Sequence, residues 1–419
     1  MKFSIIVESM EKLKDKGLIR RHIYLDKLKG YMNKPIIKVL TGMRRVGKSS
    51  IMRMMINDLI ESGINSSNIL YINKESLEFD DIKDYKDLYQ YTLKHFKKID
   101  GKKYLFIDEI QEIKQWEKAV ASFLADDFAD IVVSGSNSKL LSSEFATLLS
   151  GRYIEIQVHP LSFKEFLMFR EETLNSKPDI EKEFSNFLRY GGLPGIHRLS
   201  LTDEFVFEYL NSVLNTVLYK DIITRYEVRD IEIFDSIVKY LFDNIGNIIS
   251  AKRISDYFKS QRIKVSVDTI LNYIRYIESG MLIERVKRYN IKGKRHLEFN
   301  DKIFLNDIGI RNGLLGYKEK DINGILENIV YKELRTKGYK VDIGVIDGAE
   351  IDFVAQKQND LKYIQVCYLL MDAKTVNREF GTLEKIKDNY EKIVVSMDKF
   401  FPEDRNGIKH KYILDFLLE

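Results

Sequence analysis

The sequence has a single cysteine, no long hydrophobic run and little net charge, and the first two shortages each exclude a class of protein. With Cys367 alone, neither an internal disulfide nor a cysteine-built metal site can form, so we expect a reducing, cytoplasmic environment. No apolar stretch approaches the roughly 20 residues that cross a bilayer, and the apolar run before Glu8 is too short for a signal peptide. The net charge of +4 is too small to identify a partner.

What remains is a chain of 419 residues, 44% hydrophobic and 31% charged, which is typical of a soluble globular protein of two to four domains. Apolar runs that alternate with helical patterns predict strands over residues 36–40, 69–73, 103–107, 130–134 and 153–158. This alternation indicates an α/β fold in which helices cover a parallel sheet.

Residues 42–49 form a complete phosphate-binding loop of the form G-x-x-x-x-G-K-[ST], placed between a predicted strand and a predicted helix. Gly42 and Gly47 permit a tight turn with inward-facing N–H groups, and the helix adds the positive end of its dipole. Lys48 is expected to reach the β- and γ-phosphates of ATP, and Ser49 to ligate Mg²⁺. The predicted nucleotide-binding residues are Gly42, Arg44, Arg45, Val46, Gly47, Lys48, Ser49 and Ser50.

A second motif supplies two acids. The apolar run over 104–107 ends in Asp108 and Glu109, about 60 residues after Lys48. Asp108 is placed to hold the hydration shell of Mg²⁺, and Glu109 to orient and deprotonate the attacking water. Many strands end in solvated acids, but downstream of a complete phosphate loop this pair favours ATP hydrolysis over a kinase or transferase reaction.

Three further residues are candidates for the same site. Ser136 and Asn137 follow the fourth strand, at whose carboxyl end a polar group faces the γ-phosphate, although either residue also suits a helix N-cap. Arg152 lies between a helix predicted over 139–149 and the last strand. It is expected near the phosphate edge of the sheet or projecting to a neighbouring subunit, and an ordinary surface arginine is the alternative.

Patterns along the chain divide it into five segments. These are a helical arm (1–34), the ATPase core (35–159), a helical lid (160–228), a winged helix (229–315) and a C-terminal α/β domain (316–419). The Gly/Pro cluster at 190–195 predicts a hinge or elbow in the lid. The winged helix is predicted from helices over 232–244, 250–260 and 266–279 and strands over 282–288 and 295–299.

The predicted winged helix is basic. Residues 229–299 contain 14 Lys and Arg against nine Asp and Glu, and the hairpin over 285–296 contains no acid. This distribution predicts contact with nucleic-acid phosphates, while a solvated hairpin tip or a protein-docking surface is the alternative. The residues expected to contact phosphate are Arg285, Lys287, Arg288, Lys292, Lys294 and Arg295.

The C-terminal segment predicts a restriction-endonuclease-like fold without its chemistry. Glu327 on a helix and Asp352 on a strand match the acids that hold Mg²⁺ in metal-dependent nucleases. Where such nucleases have an acid and a lysine, this chain has Gln365 and Cys367. An amide and a mostly neutral thiol do not replace those charges, so we do not expect nuclease activity.

Together these motifs resemble prokaryotic AAA+ ATPases that pair the ATPase module with a C-terminal domain of uncharacterised function. The resemblance covers nearly the whole chain and rests on Leu40–Ser49, Phe106–Gln111, Ser134–Asn137, Gly151–Arg152, Pro160–Phe163, Gly191–Pro194, Glu350–Phe353 and Ile364–Val366. It implies ATP binding and hydrolysis, an arginine finger at Arg152 that acts on the ATP of an adjacent subunit, and a first sensor at Ser136 or Asn137. No residue of the lid is matched to a second sensor arginine.

The favoured function is therefore an Mg-dependent ATPase that drives a conformational switch, with the winged helix and the C-terminal domain as its output. The alternative is a non-catalytic scaffold that binds DNA or protein in a nucleotide-dependent way. ATP turnover by the pure protein, with and without DNA, separates the two.

Overall fold

The structure is a computed structural model that describes residues 17–137, 149, 151–297, 301–401 and 404–419. The start of the predicted helical arm (1–16) and all of the helix predicted over 139–149 except Leu149 lie outside the described residues. The chain divides into two compact units, residues 1–158 and 159–419.

The described residues of the first unit form a five-stranded sheet with flanking helices. The strands are β1 (Ile37–Thr41), β2 (Ile69–Asn73), β3 (Tyr104–Asp108), β4 (Asp130–Gly135) and β5 (Tyr153–Gln157). The helices are α1 (His22–Tyr31), α2 (Lys48–Glu61), α3 (Tyr85–Phe96) and α4 (Trp116–Ala125). Each strand begins and ends within one residue of its predicted position, which confirms the α/β fold.

All neighbouring strands of this sheet are parallel, in the order β2-β3-β4-β1-β5. The strands β1, β3 and β4 are buried along their whole length, as expected for a parallel sheet covered on both faces. The order places the carboxyl ends of these three strands side by side. Ligands of open parallel sheets bind at this edge.

The second unit contains more helices. They are α5 (Phe163–Leu174), α6 (Ile180–Tyr190), α7 (Asp203–Thr216), α8 (Ile231–Asp243), α9 (Ala251–Ser260), α10 (Val267–Ser279), α11 (Ile308–Leu315), α12 (Ile322–Thr336), α13 (Ala373–Glu384) and α14 (Ile413–Leu418). Helix α7 continues through a π-helical segment (Val217–Ile223) into a last turn (Thr224–Tyr226).

The strands of the second unit form a large mixed sheet and a separate pair. They are β6 (Ile283–Val286), β7 (Arg288–Asn290), β8 (Arg295–His296), β9 (Lys302–Leu305), β10 (Lys340–Ile346), β11 (Ala349–Lys357), β12 (Asp360–Val366), β13 (Glu391–Ser396), β14 (Asp404–Arg405) and β15 (Ile408–Tyr412). Over the described residues the large sheet has the order β14-β15-β13-β12-β11-β10-β7-β8.

The basic hairpin predicted over 285–296 is divided between these two sheets. Strand β6 pairs with β9, whereas β7 pairs in parallel with β10 and antiparallel with β8. The segment therefore does not project as a free hairpin. Strands β7 and β8 precede the predicted boundary at residue 315, yet their hydrogen bonds extend the C-terminal sheet.

The glycine cluster, for which the sequence predicts a hinge or elbow, is a tightly packed junction. The N–H of Gly192 donates to Asp307 Oδ2 at 2.7 Å, and its carbonyl accepts from the Leu161 N–H at 2.7 Å. A Cβ on Gly192 would lie 2.4 Å from the Leu161 carbonyl oxygen. Because backbones approach this closely, the cluster fixes the chain where a hinge would release it.

Among the described helices, none combines the length and the apolar character needed to span a bilayer.

Candidate active site

The phosphate-binding loop connects β1 to α2 through two glycines. A Cβ on Gly42 would lie 2.4 Å from the Val158 carbonyl oxygen, because the loop passes directly over the end of β5. Gly47 has φ of 101° and is the N-cap of α2, and no side chain in the described part of the chain caps this helix. The first-turn N–H groups, including those of Ser49 and Ser50, are therefore suited to bind an anion.

Lys48 begins α2 and is only 4% exposed. Its Nζ donates to the carbonyl oxygens of Gly42 at 2.9 Å and Met43 at 3.2 Å, and lies 3.7 Å from Glu109 Oε1. Backbone carbonyls carry no net charge, so these two contacts hold the ammonium through dipoles. Phosphate oxygens would be stronger acceptors than these carbonyls.

Asp108 ends β3 and is buried. Its Oδ1 accepts a hydrogen bond from Ser134 Oγ, and its Oδ2 accepts one from the Tyr71 hydroxyl at 2.9 Å. Burial, and then the neighbouring Asp108, raise the pKa of Tyr71, so the tyrosine remains a protonated donor. These bonds fix the orientation of the carboxylate, while each oxygen keeps a further lone pair for a ligand.

Glu109 follows in the left-handed conformation, with φ of 54°. Its Oε2 accepts hydrogen bonds from Ser136 Oγ at 2.9 Å and from Gln111 Nε2. Burial would raise the pKa of Glu109, but Lys48 and the hydrogen bonds from Gln111 and Ser136 outweigh it and hold the pKa below its ordinary value. Glu109 is therefore ionised at neutral pH, as a base that accepts a proton from water must be.

The remaining loop residues have different surroundings. Arg44 forms an ion pair with Glu75, with 2.8 Å between Nη1 and Oε1. Arg45 is exposed and has φ of 67°. The carbonyl of buried Val46 accepts a hydrogen bond at 2.9 Å from Nη1 of Arg21, which precedes α1. The N-terminal arm thus supports the loop from outside the motif.

The two sensor candidates, Ser136 and Asn137, directly follow β4, which ends at Gly135. Ser136 contacts Glu109 directly, and Asn137 is 2% exposed. Ser134, two residues earlier, was not predicted as a site residue. It donates to Asp108 and also accepts from the Glu109 N–H at 3.2 Å, so it links both acids to β4.

Arg152 lies at the end of the sheet where β1 and β5 begin, whereas the loop lies at the end where β1 finishes. Its carbonyl accepts from the Ile37 N–H at 3.0 Å, so it stands beside the start of β1, whereas the loop follows the end of β1. The placement near the phosphate edge of its own sheet is wrong, because β1 and β5 are parallel and Arg152 precedes β5. The side chain is exposed, and its projection to a neighbouring subunit stays a prediction.

The second unit contains a lysine–carboxylate cluster around Lys302, in addition to the cluster of Lys48 and Glu109 in the first unit. Lys302 lies on β9 and is buried, and its Nζ is 2.7 Å from Glu350 Oε1, 3.1 Å from Glu327 Oε2 and 3.7 Å from Asp352 Oδ1. The sequence pattern around Gln365 contains no lysine, but the fold brings one from a different element. The predicted absence of a positive charge at this place is therefore wrong.

The charges of this second cluster are unbalanced. Burial raises the pKa of Glu327, and the neighbouring Asp352 adds to the rise while Lys302 opposes it. Burial likewise raises the pKa of Asp352, against the attraction of Lys302 and a hydrogen bond of 2.8 Å from the Val366 N–H. Burial also raises the pKa of the Cys367 thiol, which keeps it neutral as predicted. The described residues contain no group of three or more acids, histidines or cysteines arranged to hold a metal ion.

Known proteins are similar to this chain over most of its length. An AAA domain family matches residues 34–167, and a domain of unknown function (DUF8612) matches residues 181–321. An uncharacterized protein of Haemophilus influenzae is 38% identical over 405 residues, which cover 96% of this chain and 100% of that protein. Uncharacterized protein MJ1544 of Methanocaldococcus jannaschii is 32% identical over 400 residues, covering 92% and 85% of the two chains.

A solved structure shares the fold. The Walker-type ATPase of Pyrococcus abyssi aligns with a TM-score of 0.51 and 15% identity, over 72% of this chain and 97% of that one. The P-loop between β1 and α2, the acids at the end of β3 and the matched AAA domain agree with one another. The chain therefore belongs to the family of these two relatives, and it joins a P-loop AAA+ ATPase nucleotide-binding module to a C-terminal domain of unknown function.

Proposed function

We propose that this protein binds ATP with Mg²⁺, hydrolyses it, and uses the cycle to switch its conformation. The observation that carries the proposal is Glu109, a buried carboxylate with a lowered pKa that lies 3.7 Å from the loop lysine. A binding-only site needs the loop and its lysine. An ionised base fixed beside them by two hydrogen bonds is a requirement of hydrolysis.

Each residue then has a defined task. The α2 N-terminus and Lys48 bind the phosphates, and Glu109 takes a proton from the attacking water. The oxygen donors that would hold Mg²⁺ are the Ser49 hydroxyl and the Asp108 carboxylate, and a set of few carboxylates and hydroxyls fits that ion, which retains waters and phosphate ligands. When bound, Mg²⁺ would neutralise charge on the β- and γ-phosphates.

The test is Glu109→Gln, with Glu112→Gln as the matched control on an exposed residue of the same turn. We expect Glu109→Gln to retain ATP binding by calorimetry and to lose turnover by roughly 100-fold or more, because an amide cannot accept the proton. Glu112→Gln is expected to behave as wild type. If the wild type binds ATP without turnover above background, the non-catalytic scaffold is the better description.

Arg152 extends the proposal to an assembly of several copies. Because its exposed side chain starts from the edge of the sheet opposite its own loop, we propose that it acts on the nucleotide of an adjacent copy. Arg152→Ala and Glu109→Gln are each expected to be inactive alone. Mixed together, they should recover turnover, since the Glu109→Gln copy supplies an intact Arg152 to the other. Normal assembly without recovery would assign Arg152 a role within its own chain.

A further inference from the structure

Arg21, which stands directly before α1, contacts the backbone of the phosphate-binding loop from outside the motif. The residue is only 3% exposed, and its Nη1 donates to the Val46 carbonyl oxygen at 2.9 Å. Its guanidinium lies 4.5 Å from the centre of the Tyr24 ring. Burying a charged group costs solvation free energy, so an arginine enclosed at this carbonyl calls for an explanation.

Other contacts fix the position of Arg21 relative to the loop. Asp58 on α2 accepts hydrogen bonds from Nη1 and Nη2 of Arg20 at 2.8 Å and 2.7 Å, and it lies 2.8 Å from Nζ of Lys29 on α1. Since α2 begins at Lys48, directly after the loop, α1 and the loop are attached to the same helix. The arginine therefore reaches the loop from a fixed base.

The hydrogen bond from Arg21 determines which way the peptide between Val46 and Gly47 faces. In a planar trans peptide the C=O and the N–H point in opposite directions. With the Val46 carbonyl turned towards Arg21, the Gly47 N–H is turned away from it, and this N–H donates to no acceptor among the described residues. It belongs to the backbone N–H groups that cradle phosphates in a loop of this kind.

Gly47 alone does not hold this orientation. Its φ is 101°, and a flip of the preceding peptide would change that angle by about 180°, to roughly −80°. Glycine adopts both values about equally readily, because it has no Cβ. The flipped peptide would direct the Val46 carbonyl, an acceptor, at the phosphates. The glycine that lets the loop turn therefore also lets this peptide flip, and the bond from Arg21 opposes the flip.

We propose that Arg21 is a positioning residue of the nucleotide site, which holds the Val46–Gly47 peptide with its N–H towards the phosphates of ATP. Arg21 acts through this peptide and needs no contact with the nucleotide. The inference rests on the ATP binding proposed above. Because the peptide serves the phosphates, loss of Arg21 should weaken phosphate recognition itself. Inorganic tripolyphosphate is the suitable probe, since it has a chain of three phosphates and neither base nor ribose.

The experiment measures by calorimetry the affinities of the full-length protein for ATP and for tripolyphosphate, both with Mg²⁺. Arg21→Met removes the donor, whereas Arg21→Lys keeps a charged donor that reaches one atom less far. Arg20→Met is the matched control, because it breaks a pair between the arm and α2 and leaves the peptide untouched. We expect Arg21→Met to weaken both ligands by roughly tenfold to 100-fold, the effect of one hydrogen bond to a charged group. Arg21→Lys should lie between wild type and Arg21→Met, and Arg20→Met should match wild type.

Three results would overturn the positioning role. Equal losses in Arg20→Met and Arg21→Met would assign the effect to docking of the whole arm. Weaker ATP binding with unchanged tripolyphosphate binding would place Arg21 at the base or ribose, and no loss at all would leave it without a role in the site. Each of these leaves ATP binding standing, whereas a wild type that binds neither ligand overturns both proposals. If melting curves show that Arg21→Met does not fold, Arg21→Lys decides, and wild-type affinity for both ligands then overturns the proposal.

Discussion

The lysine–carboxylate clusters around Lys48 and Lys302 differ in charge balance. Beside Lys48, the pKa of Glu109 is lowered, whereas around Lys302 the pKa values of Glu327 and Asp352 are raised. Burial raises the pKa values of Glu327 and Asp352, and the attraction of Lys302, whose ammonium also pairs with Glu350, does not outweigh it. In the loop cluster Lys48 helps to keep Glu109 ionised and donates to the carbonyl oxygens of Gly42 and Met43.

The largest effect is expected from removing the lysine of the first cluster. Lys48→Ala should abolish ATP binding, because the β- and γ-phosphates lose their main side-chain counter-charge. Calorimetry of the variant beside Lys98→Ala, an exposed lysine of the same unit, measures the effect. Wild-type affinity in Lys48→Ala would mean that the nucleotide binds elsewhere. The two clusters would then no longer differ in ligand binding.

The lysine of the second cluster should matter for stability instead. Lys302→Met leaves buried carboxylates without their cation, and we expect a loss of about 3–5 kcal/mol in the free energy of unfolding of the second unit, with ATP affinity unchanged. Urea denaturation against Lys340→Met, an exposed lysine on β10, isolates the effect of the cluster. Unchanged stability would mean that Lys302 does not compensate the burial of these carboxylates.

The same cluster is not expected to cut DNA. Its acids are engaged with Lys302, and Gln365 accepts from the Asp352 N–H at 3.3 Å, which ties the third position to the backbone. Plasmid incubated with the protein and Mg²⁺ or Mn²⁺ should stay intact. Cleavage that disappears in Asp352→Ala would make Lys302 the lysine of a nuclease.

A smaller effect concerns pH. A carboxyl whose pKa is higher in the folded than in the unfolded chain stabilises the fold at low pH, and the contribution is lost as pH rises above the ordinary value of about 4.3. Glu327→Gln resembles the protonated form and does not titrate. Between pH 5 and pH 8 we therefore expect the melting temperature of wild type to fall relative to this variant by roughly 2 °C or more. Glu319→Gln, which changes an exposed carboxyl, should keep the wild-type pH dependence.

The smallest effect tests the winged-helix hypothesis on DNA. The six predicted basic residues differ in their surroundings. Arg285 and Lys292 already form ion pairs with Glu278 and Asp347. We expect the combined alanine variant of three exposed residues to weaken DNA binding at all sequences and to reduce the salt slope by roughly 0.9 per lost contact. These residues are Lys287, Lys294 and Arg295.

The paired cations provide the control for this titration. Alanine at Arg285 and Lys292 together should change the slope less, since those charges are partly neutralised within the protein. Equal effects of the two variants, or none, would point to a protein partner in place of DNA.

The accuracy of the sequence predictions differs between the same two regions. The strands of the first sheet and the positions of Lys48, Asp108 and Glu109 could be predicted because each depends on a local pattern: an apolar run, a glycine loop, or acids at a strand end. The contact of Ser134 with Asp108 joins neighbouring strands 26 residues apart. Once the parallel sheet is assumed, polar residues at adjacent strand ends give a signal for it.

Lys302 gave no such signal. It lies 25 residues before Glu327 and 50 before Asp352, on a strand that belongs to a different sheet from β11. A search for an acid and a lysine on one strand cannot find a lysine contributed by tertiary contact. The same reason explains the hairpin: the local pattern predicted a single hairpin over 285–296, but the pairing of β7 with β10 and the position of Asp347 depend on residues that lie more than 40 positions later.

The addition of β7 and β8 to the C-terminal sheet has a consequence for how such chains can be inherited. Recombination that joined segments at residue 315 would separate β7 from β10. One product would contain β7 and β8 without the sheet that they extend. The other would expose the edge of β10, which could then pair with strands of other molecules and cause aggregation. A chain divided at residue 315 is therefore expected to be less stable than one that keeps residues 288–346 together.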